Sequence, residues 1–309
     1  MSIKLFVLKL AAKKGRRQAV RHVQSLGHIK GQKFMAPREN AKPVMTYLYR
    51  PTGGGQNLPV VFNVHGGAWV GGDALLLDTQ SQEMADRLGA MVVNINYVKA
   101  DVKPFPYAQY EIRDTVRYFA DHAKEYDIDA QRFAVMGYSA GGHLSACAAQ
   151  LLQQDGIRLS CQVLCYPFLD FTFQGETNNE MKDTIAGLDG LNDIFFPKLE
   201  ATDPLVSPGL IPEERLKELP PTILVTCGQD ALKSHADRYA ARLEAAGVRV
   251  YMLDYPDSVH GFLECNFPET EDGNEAESPA QKSLCDKCER DIAKILYDIW
   301  KMYSDKEVL

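Results

Sequence analysis

The sequence predicts an α/β fold, a mostly parallel central sheet with helices on both faces. Three observations point there. Short apolar runs such as "PVVFNVHGG", "AMVVNINY" and "TILVTCG" show no polar alternation, so both faces of these strands must be covered. Segments with helical spacing alternate with those runs along the chain. The chain has 309 residues, 45% of them hydrophobic and 24% charged, which is enough apolar material for one large core. No repeat or low-complexity linker divides it, so residues 1–309 are expected to form a single domain.

Each element has a local reason. "VMTYLYRP" (Val44 to Pro51) alternates as a half-buried strand, and Gly53, Gly54 and Gly55 make a turn. "PVVFNVHGG" is a buried strand that runs into a glycine loop. "DTQSQEMADRLG" has helical spacing and stops at its glycine. "AMVVNINY" is a buried strand and "YEIRDTVRYFADHAKEYD" an amphipathic helix. "RFAVMG" is a strand, followed by "SAGGHLSACAAQLLQQ", a helix whose small residues can lie close to a sheet. "CQVLCYP" and "TILVTCG" are strands, and "HADRYAARLEAAG" is a helix stopped by Gly247. "VRVYMLDY" is the last strand, and "SPAQKSLCDKCERDIAKILYDIWKMY" the terminal helix.

Two stretches break the rhythm. Residues 1–40 precede the first expected strand, and residues 168–218 form an aromatic, acidic, proline-rich connection. A connection of that length in a compact domain is usually functional. Both stretches can lie over the carboxyl ends of the strands, where open α/β sheets bind ligands. They are the expected elements of a small cap.

At the junction of "RFAVMG" with its helix stands Gly137-Tyr138-Ser139-Ala140-Gly141. G-x-S-x-G between a strand and a helix is a nucleophile elbow. The turn lifts the serine hydroxyl clear of the sheet, and a Cβ at either glycine would collide with the neighbouring strand and helix. The helix behind Ser139 aims backbone N–H groups and its positive dipole end at the site.

A serine hydroxyl needs a base to take its proton. His260, in "DSVHGF" directly after the last strand, is at the right edge of the sheet, and Gly261 permits a tight loop. The base needs a carboxylate to fix its tautomer. Asp230 follows "TILVTCG" in "GQDAL" and completes the chain order Ser139, Asp230, His260 expected for this arrangement. Asp254 and Asp257 are rival carboxylates nearer His260 in sequence, and Asp230 could simply cap the following helix.

The glycine pair after the first buried strand, in "NVHGGAWVGGD", lets backbone N–H groups face a ligand unobstructed. His65-Gly66-Gly67-Ala68-Trp69 resembles the HGGG motif of the hormone-sensitive-lipase-like esterases. Gly137 to His143 resembles their elbow, Asp230-Ala231-Leu232 their D-x-L segment, and His260-Gly261-Phe262 their H-G-F. The resemblance covers roughly residues 44–302. It implies an α/β-hydrolase fold with a variable cap, and an oxyanion hole supplied by Gly66, Gly67 and Ala140. Ala68 stands where the third glycine usually does, and Ala231 where proline is frequent.

The expected chemistry is hydrolysis of a short-chain ester, acetyl foremost, of a polar alcohol such as a sugar, with no cofactor and no metal. Trp69, Tyr138, Phe168 and Phe262 are candidate pocket rings, with Phe171, Phe173, Phe195 and Phe196 in the cap. Asp170, Glu176, Asn178 and Asn179 give the cap a polar character. The alternatives are a broad carboxylesterase for small xenobiotic or aryl esters and a non-catalytic binding protein of the same fold. An oligopeptidase-type peptidase would need a gating domain for which there is no room.

The net charge of −7 argues against a nucleic-acid partner. The basic run "LKLAAKKGRRQAVRH" reads as an amphipathic surface helix. The N-terminus lacks signal-peptide character and no run reaches the roughly 20 apolar residues of a membrane span. Seven cysteines, an odd number, fit buried thiols in a reducing compartment, so the cytoplasm is expected. Cys285 and Cys288 form a C-x-x-C on an otherwise polar helix, with no second pair at metal spacing. A small-molecule ester is the expected partner, and a homo-oligomer is compatible with the sequence.

Overall fold

Strands β1 (Gln32–Ala36), β2 (Val44–Tyr49), β3 (Leu58–Val64), β4 (Met91–Ile95), β5 (Ile128–Tyr138), β6 (Cys161–Cys165), β7 (Thr222–Cys227) and β8 (Val250–Tyr255) form one sheet in a computed structural model of the chain, which describes residues 3–173, 192–270 and 275–304. Their order is β1-β2-β4-β3-β5-β6-β7-β8. β1 and β2 pair antiparallel, as do β2 and β4, and every later pairing is parallel.

The pleat sends alternate side chains into two cores. Val60, Phe62 and Val64 of β3 join Phe133 and Val135 of β5 on one face, under helices α3 (Tyr107–Asp121), α4 (Ala140–Gln154) and α5 (Lys233–Ala245). Val61, Val92, Ala134 and Met136 point the other way, under α2 (Asp78–Leu88) and α6 (Pro279–Ser304). Both faces of the central strands are therefore dry, which explains their continuous apolar runs. The parallel sheet covered on both sides is the predicted class.

Two expectations change. Residues 1–40 do not all precede the sheet, because β1 is an edge strand paired to β2. Only Ala36 of it is buried, so an edge strand wetted on one side leaves no apolar run to read. Helix α1 (Ile3–Ser25) remains outside the sheet. Cys285 and Cys288 are fully buried on the inner face of α6 rather than exposed. Burial pushes both thiols up, as it does Cys147, Cys161, Cys165 and Cys227, so they stay protonated packing groups. In the 168–218 connection, Ile194, Phe195, Phe196, Val206 and Ile211 fold into the first core. Glu176, Asn178 and Asn179 lie outside the described residues.

Candidate active site

Ser139 sits where β5 turns into α4, at φ 51° and ψ −116°. This left-handed, sparsely populated conformation costs on the order of 1–3 kcal/mol. The surroundings enforce it. Ser139 N–H donates to Cys165 O at 2.9 Å. A Cβ on Gly141 would stand 2.1 Å from Val64 O, and one on Gly137 2.2 Å from Gly141 O. Strand and helix can approach this closely only with glycine at both places.

His260 is carried by the loop after β8. Gln281 of α6 grips that loop, accepting from Val259 N–H at 3.2 Å and donating to Asp257 O at 2.9 Å. Asp230 is carried by the loop after β7. The two loops are tied by Gly228 N–H to Tyr255 O at 2.9 Å and Gln229 N–H to Ser258 O at 3.1 Å. The outcome is a chain of three side chains. Ser139 Oγ donates to His260 Nε2 at 2.9 Å, and His260 Nδ1–H donates to Asp230 Oδ2 at 2.5 Å. Asp230 also accepts Leu232 N–H at 2.9 Å through its other oxygen, so the helix-capping alternative holds alongside the bond to the imidazole. The rivals do not reach His260. Asp254 accepts from Thr226 and pairs with Lys233 at 2.8 Å, while Asp257 is exposed.

Partial desolvation disfavours the imidazolium at His260. The hydrogen bond and charge of Asp230, with the charge of Glu264, outweigh it and raise the pKa above the ordinary histidine value. His143 stays out of this arrangement. It is buried and neutral, accepting from Trp69 Nε1 at 3.1 Å and donating to Val206 O at 2.8 Å.

The loop after β3 bends through three consecutive left-handed residues, Gly67 (φ 114°), Ala68 (φ 46°) and Trp69 (φ 60°). His65 braces it, donating from Nδ1 to Gly66 O at 2.6 Å while Nε2 accepts from Lys99 at 2.9 Å. Here one expectation is corrected. Gly66 does not offer its N–H to a ligand, because it donates to Glu264 Oε1 at 2.8 Å. Gly67 and Ala68 N–H donate to no described residue, and Ala140 N–H, in the first turn of α4, has no acceptor within the helix.

Glu264 escaped the sequence reading. An acidic residue in "HGFLECNF" was a usable signal, but its target lies 198 positions away. Burial raises its carboxyl pKa to about 7, held back by the Gly66 N–H and the His260 charge.

The four tentative pocket rings offer no open face. Tyr138 and Phe262 are fully buried in the core beneath α6, and Trp69 and Phe168 expose only 3% and 6%. Trp69 packs against Phe105, Phe168, Phe171 and Phe195, with centroids 5.2 to 6.0 Å apart. These rings gain more by filling the core than by facing water. Asp170 is buried too and accepts from Thr172.

A parallel-sheet scaffold with a hydrogen-bonded serine, histidine and aspartate on the loops after β5, β8 and β7 defines an α/β hydrolase. The comparisons agree. A family profile described as alpha/beta hydrolase fold matches residues 61–264. Carboxylesterase NlhH of Mycobacterium tuberculosis is 32% identical over 223 residues, covering 70% of each chain. The arylesterase of Saccharolobus solfataricus is 30% identical over 213 residues, covering 67% of this chain and 69% of its own. A solved esterase from Pyrobaculum calidifontis superposes with a TM-score of 0.72 at 28% identity, covering 93% of this chain and 94% of its own. The chain belongs to the α/β-hydrolase fold family, among the hormone-sensitive-lipase-like esterases.

Among the described residues no helix is long and apolar enough to cross a membrane. One grouping has ligand-like spacing, Cys285, Asp286 and Glu289. It does not suit a metal, since Cys285 is held protonated and Glu289 is paired with Arg87 at 2.9 Å.

Proposed function

We propose that the protein is a carboxylic ester hydrolase that cleaves short-chain esters, acetyl foremost, of polar alcohols through an acyl-enzyme on Ser139. The observation that carries this reading is the relay Ser139 Oγ to His260 Nε2 and His260 Nδ1 to Asp230. Ser139 attacks the ester carbonyl while His260 takes its proton, and Asp230 stabilises the imidazolium. Gly67, Ala68 and Ala140 donate to the oxyanion, in place of the trio that includes Gly66. His260 then protonates the leaving alcohol, and water repeats the sequence on the acyl-enzyme. Residue order and chemistry need no cofactor.

The short-acyl part rests on the rings behind the oxyanion loop. Trp69, Phe105, Phe168 and Phe195 are buried and packed together behind that loop, so they do not line a long acyl channel. Helix α1 and the 168–218 connection are the proposed cap. α1 reaches the oxyanion loop, since Arg16 donates to Val70 O and pairs with Asp101 at 2.9 Å. The test is kcat/KM on p-nitrophenyl esters from acetate to dodecanoate, expected to be highest at acetate or butyrate. A maximum at octanoate or longer overturns the short-acyl claim. The second reading, a carboxylesterase for small aryl or xenobiotic esters, is favoured by the arylesterase relative. Acetate release from acetylated saccharides separates the two, since only the first reading expects it.

Glu264 is proposed as a positioning residue. By holding Gly66 N–H it turns Gly67 and Ala68 N–H toward the oxyanion. Loss of one hole donor typically lowers kcat by about 10²–10³-fold, so Glu264→Ala is expected to lose about 10²-fold in kcat with little change in KM. Glu264→Gln keeps an acceptor for Gly66 and is expected to restore most of that rate. It also removes the charge that Glu264 carries when ionised, at and above about pH 7, and since that charge favours the imidazolium the base titrates lower. The acidic limb of its kcat/KM profile is expected at lower pH than in the wild type. A Gln variant as slow as Ala, or an unmoved limb, contradicts this role.

A further inference from the structure

Between α1 and the loop after β4 lies a cavity of about 550 Å³ that contains none of Ser139, His260 or Asp230. Its volume falls within the roughly 300–1,000 Å³ of small-molecule sites. Five cationic side chains line it: Lys13, Arg16, Arg17, Arg21 and Lys99. The one carboxylate in the lining is Asp73. In a chain of net charge −7 this is a strong local reversal of sign.

Of these cations Arg16 is paired with Asp101, and the others are not neutralised from within. Lys13, Arg17 and Arg21 form no ion pair with any described residue. Lys99 is 6% exposed, and its ammonium donates to three neutral acceptors: His65 Nε2 at 2.9 Å, Asn96 Oδ1 at 3.1 Å and Tyr97 O at 2.7 Å. The carboxylates around it are taken. Asp101 is paired with Arg16, Glu111 accepts Val98 N–H at 2.6 Å and faces Arg38, and Asp73 accepts Leu75 N–H and Asn96 Nδ2. Burial accordingly lowers the Lys99 pKa to about 7. Asp73, Glu111 and Asp101 favour the ammonium without offsetting its burial, and an incoming anion adds the counter-charge that is still short.

We propose that this cavity is a binding site for a compact, multiply charged phosphate anion, a diphosphate group either free or carried on a small organic molecule. Two arginine forks match phosphate oxygens in pairs, which a carboxylate of single charge would not exploit fully. The site is an open depression lined by Lys99 besides the α1 cations, and its volume suits a small anion. It borders the catalytic loop, since Lys99 holds His65 and His65 holds Gly66 O.

The test is isothermal titration calorimetry at fixed ionic strength with sodium pyrophosphate, ADP, sodium sulfate and phosphatidylserine vesicles. Pyrophosphate and ADP are expected to bind at one site, with sulfate at least tenfold weaker. Tighter ADP identifies an organic carrier, and equal affinities identify the free anion. The double variant Arg17→Gln/Arg21→Gln is expected to weaken both by at least tenfold while p-nitrophenyl acetate hydrolysis and Tm stay unchanged. Lys99→Met is expected to weaken them independently. The proposal is overturned if sulfate matches pyrophosphate, if the double variant binds like the wild type, if only the vesicles bind, or if no probe binds.

Discussion

Ser139→Ala is expected to abolish ester hydrolysis and leave the fold intact. The substitution deletes one atom, the Oγ that donates to His260 Nε2 at 2.9 Å. Ser139 is half-buried at the cleft, so no core cavity opens. Its backbone N–H still donates to Cys165 O, and the strained turn is still imposed by Gly137 and Gly141 against Val64. Without the hydroxyl no acyl-enzyme forms, and loss of the nucleophile in serine hydrolases typically lowers kcat by about 10⁶-fold. The measurement is kcat on p-nitrophenyl acetate beside the thermal unfolding curve of the same preparation. An alkylphosphonate ester should label the wild type once and the variant not at all. A well-folded variant that keeps more than a few per cent of wild-type turnover, or that is still labelled, would remove Ser139 from the nucleophile's role.

The elbow was legible because its constraint is local. Gly137 and Gly141 face clashes with atoms only a turn or a strand away, so the spacing alone states the geometry. The parallel strands were legible for a similar reason. Val60 to Val64 are buried on both faces, and that leaves an unbroken apolar run. Chain order then led from Ser139 to Asp230 and His260, because each sits just past a strand that reads clearly.

What was missed depends on contacts between distant segments. β1 has a single neighbour and a wet face, so its composition carries no strand signal. The grip of Glu264 on Gly66 joins two loops that no periodicity relates, and it takes the Gly66 N–H out of the expected trio of donors. Gln281 holds the His260 loop from α6, again across sequence. The rings failed in another way. Proximity to Ser139 in sequence suggested a lining for Tyr138, but alternation along β5 turns that side chain to the far side of the sheet, among the residues beneath α6.

Asp230→Asn is expected to lower kcat by about 10⁴-fold with the site otherwise in place. An asparagine oxygen can still accept Leu232 N–H, so the start of α5 is preserved. The second bond changes sense. Oδ2 accepts His260 Nδ1–H at 2.5 Å, whereas an amide NH₂ there would donate. A donor facing Nδ1 selects the tautomer with its proton on Nε2, and that nitrogen can no longer take the proton of Ser139. The imidazolium that forms during attack also loses its counter-charge, so the penalty falls on kcat more than on KM. Asp254→Asn and Asp257→Asn are the comparison. Asp254 gives up an ion pair with Lys233 and Asp257 a solvated charge, neither bonded to His260. Exposed pairs of this kind are worth about 0–1 kcal/mol, so both variants are expected to stay within about tenfold of wild type. The three variants are to be compared on p-nitrophenyl acetate at one pH, with thermal unfolding as the control for folding. If Asp254→Asn or Asp257→Asn is the crippled one while Asp230→Asn turns over normally, the carboxylate that orients His260 belongs to its own loop and not to the loop after β7.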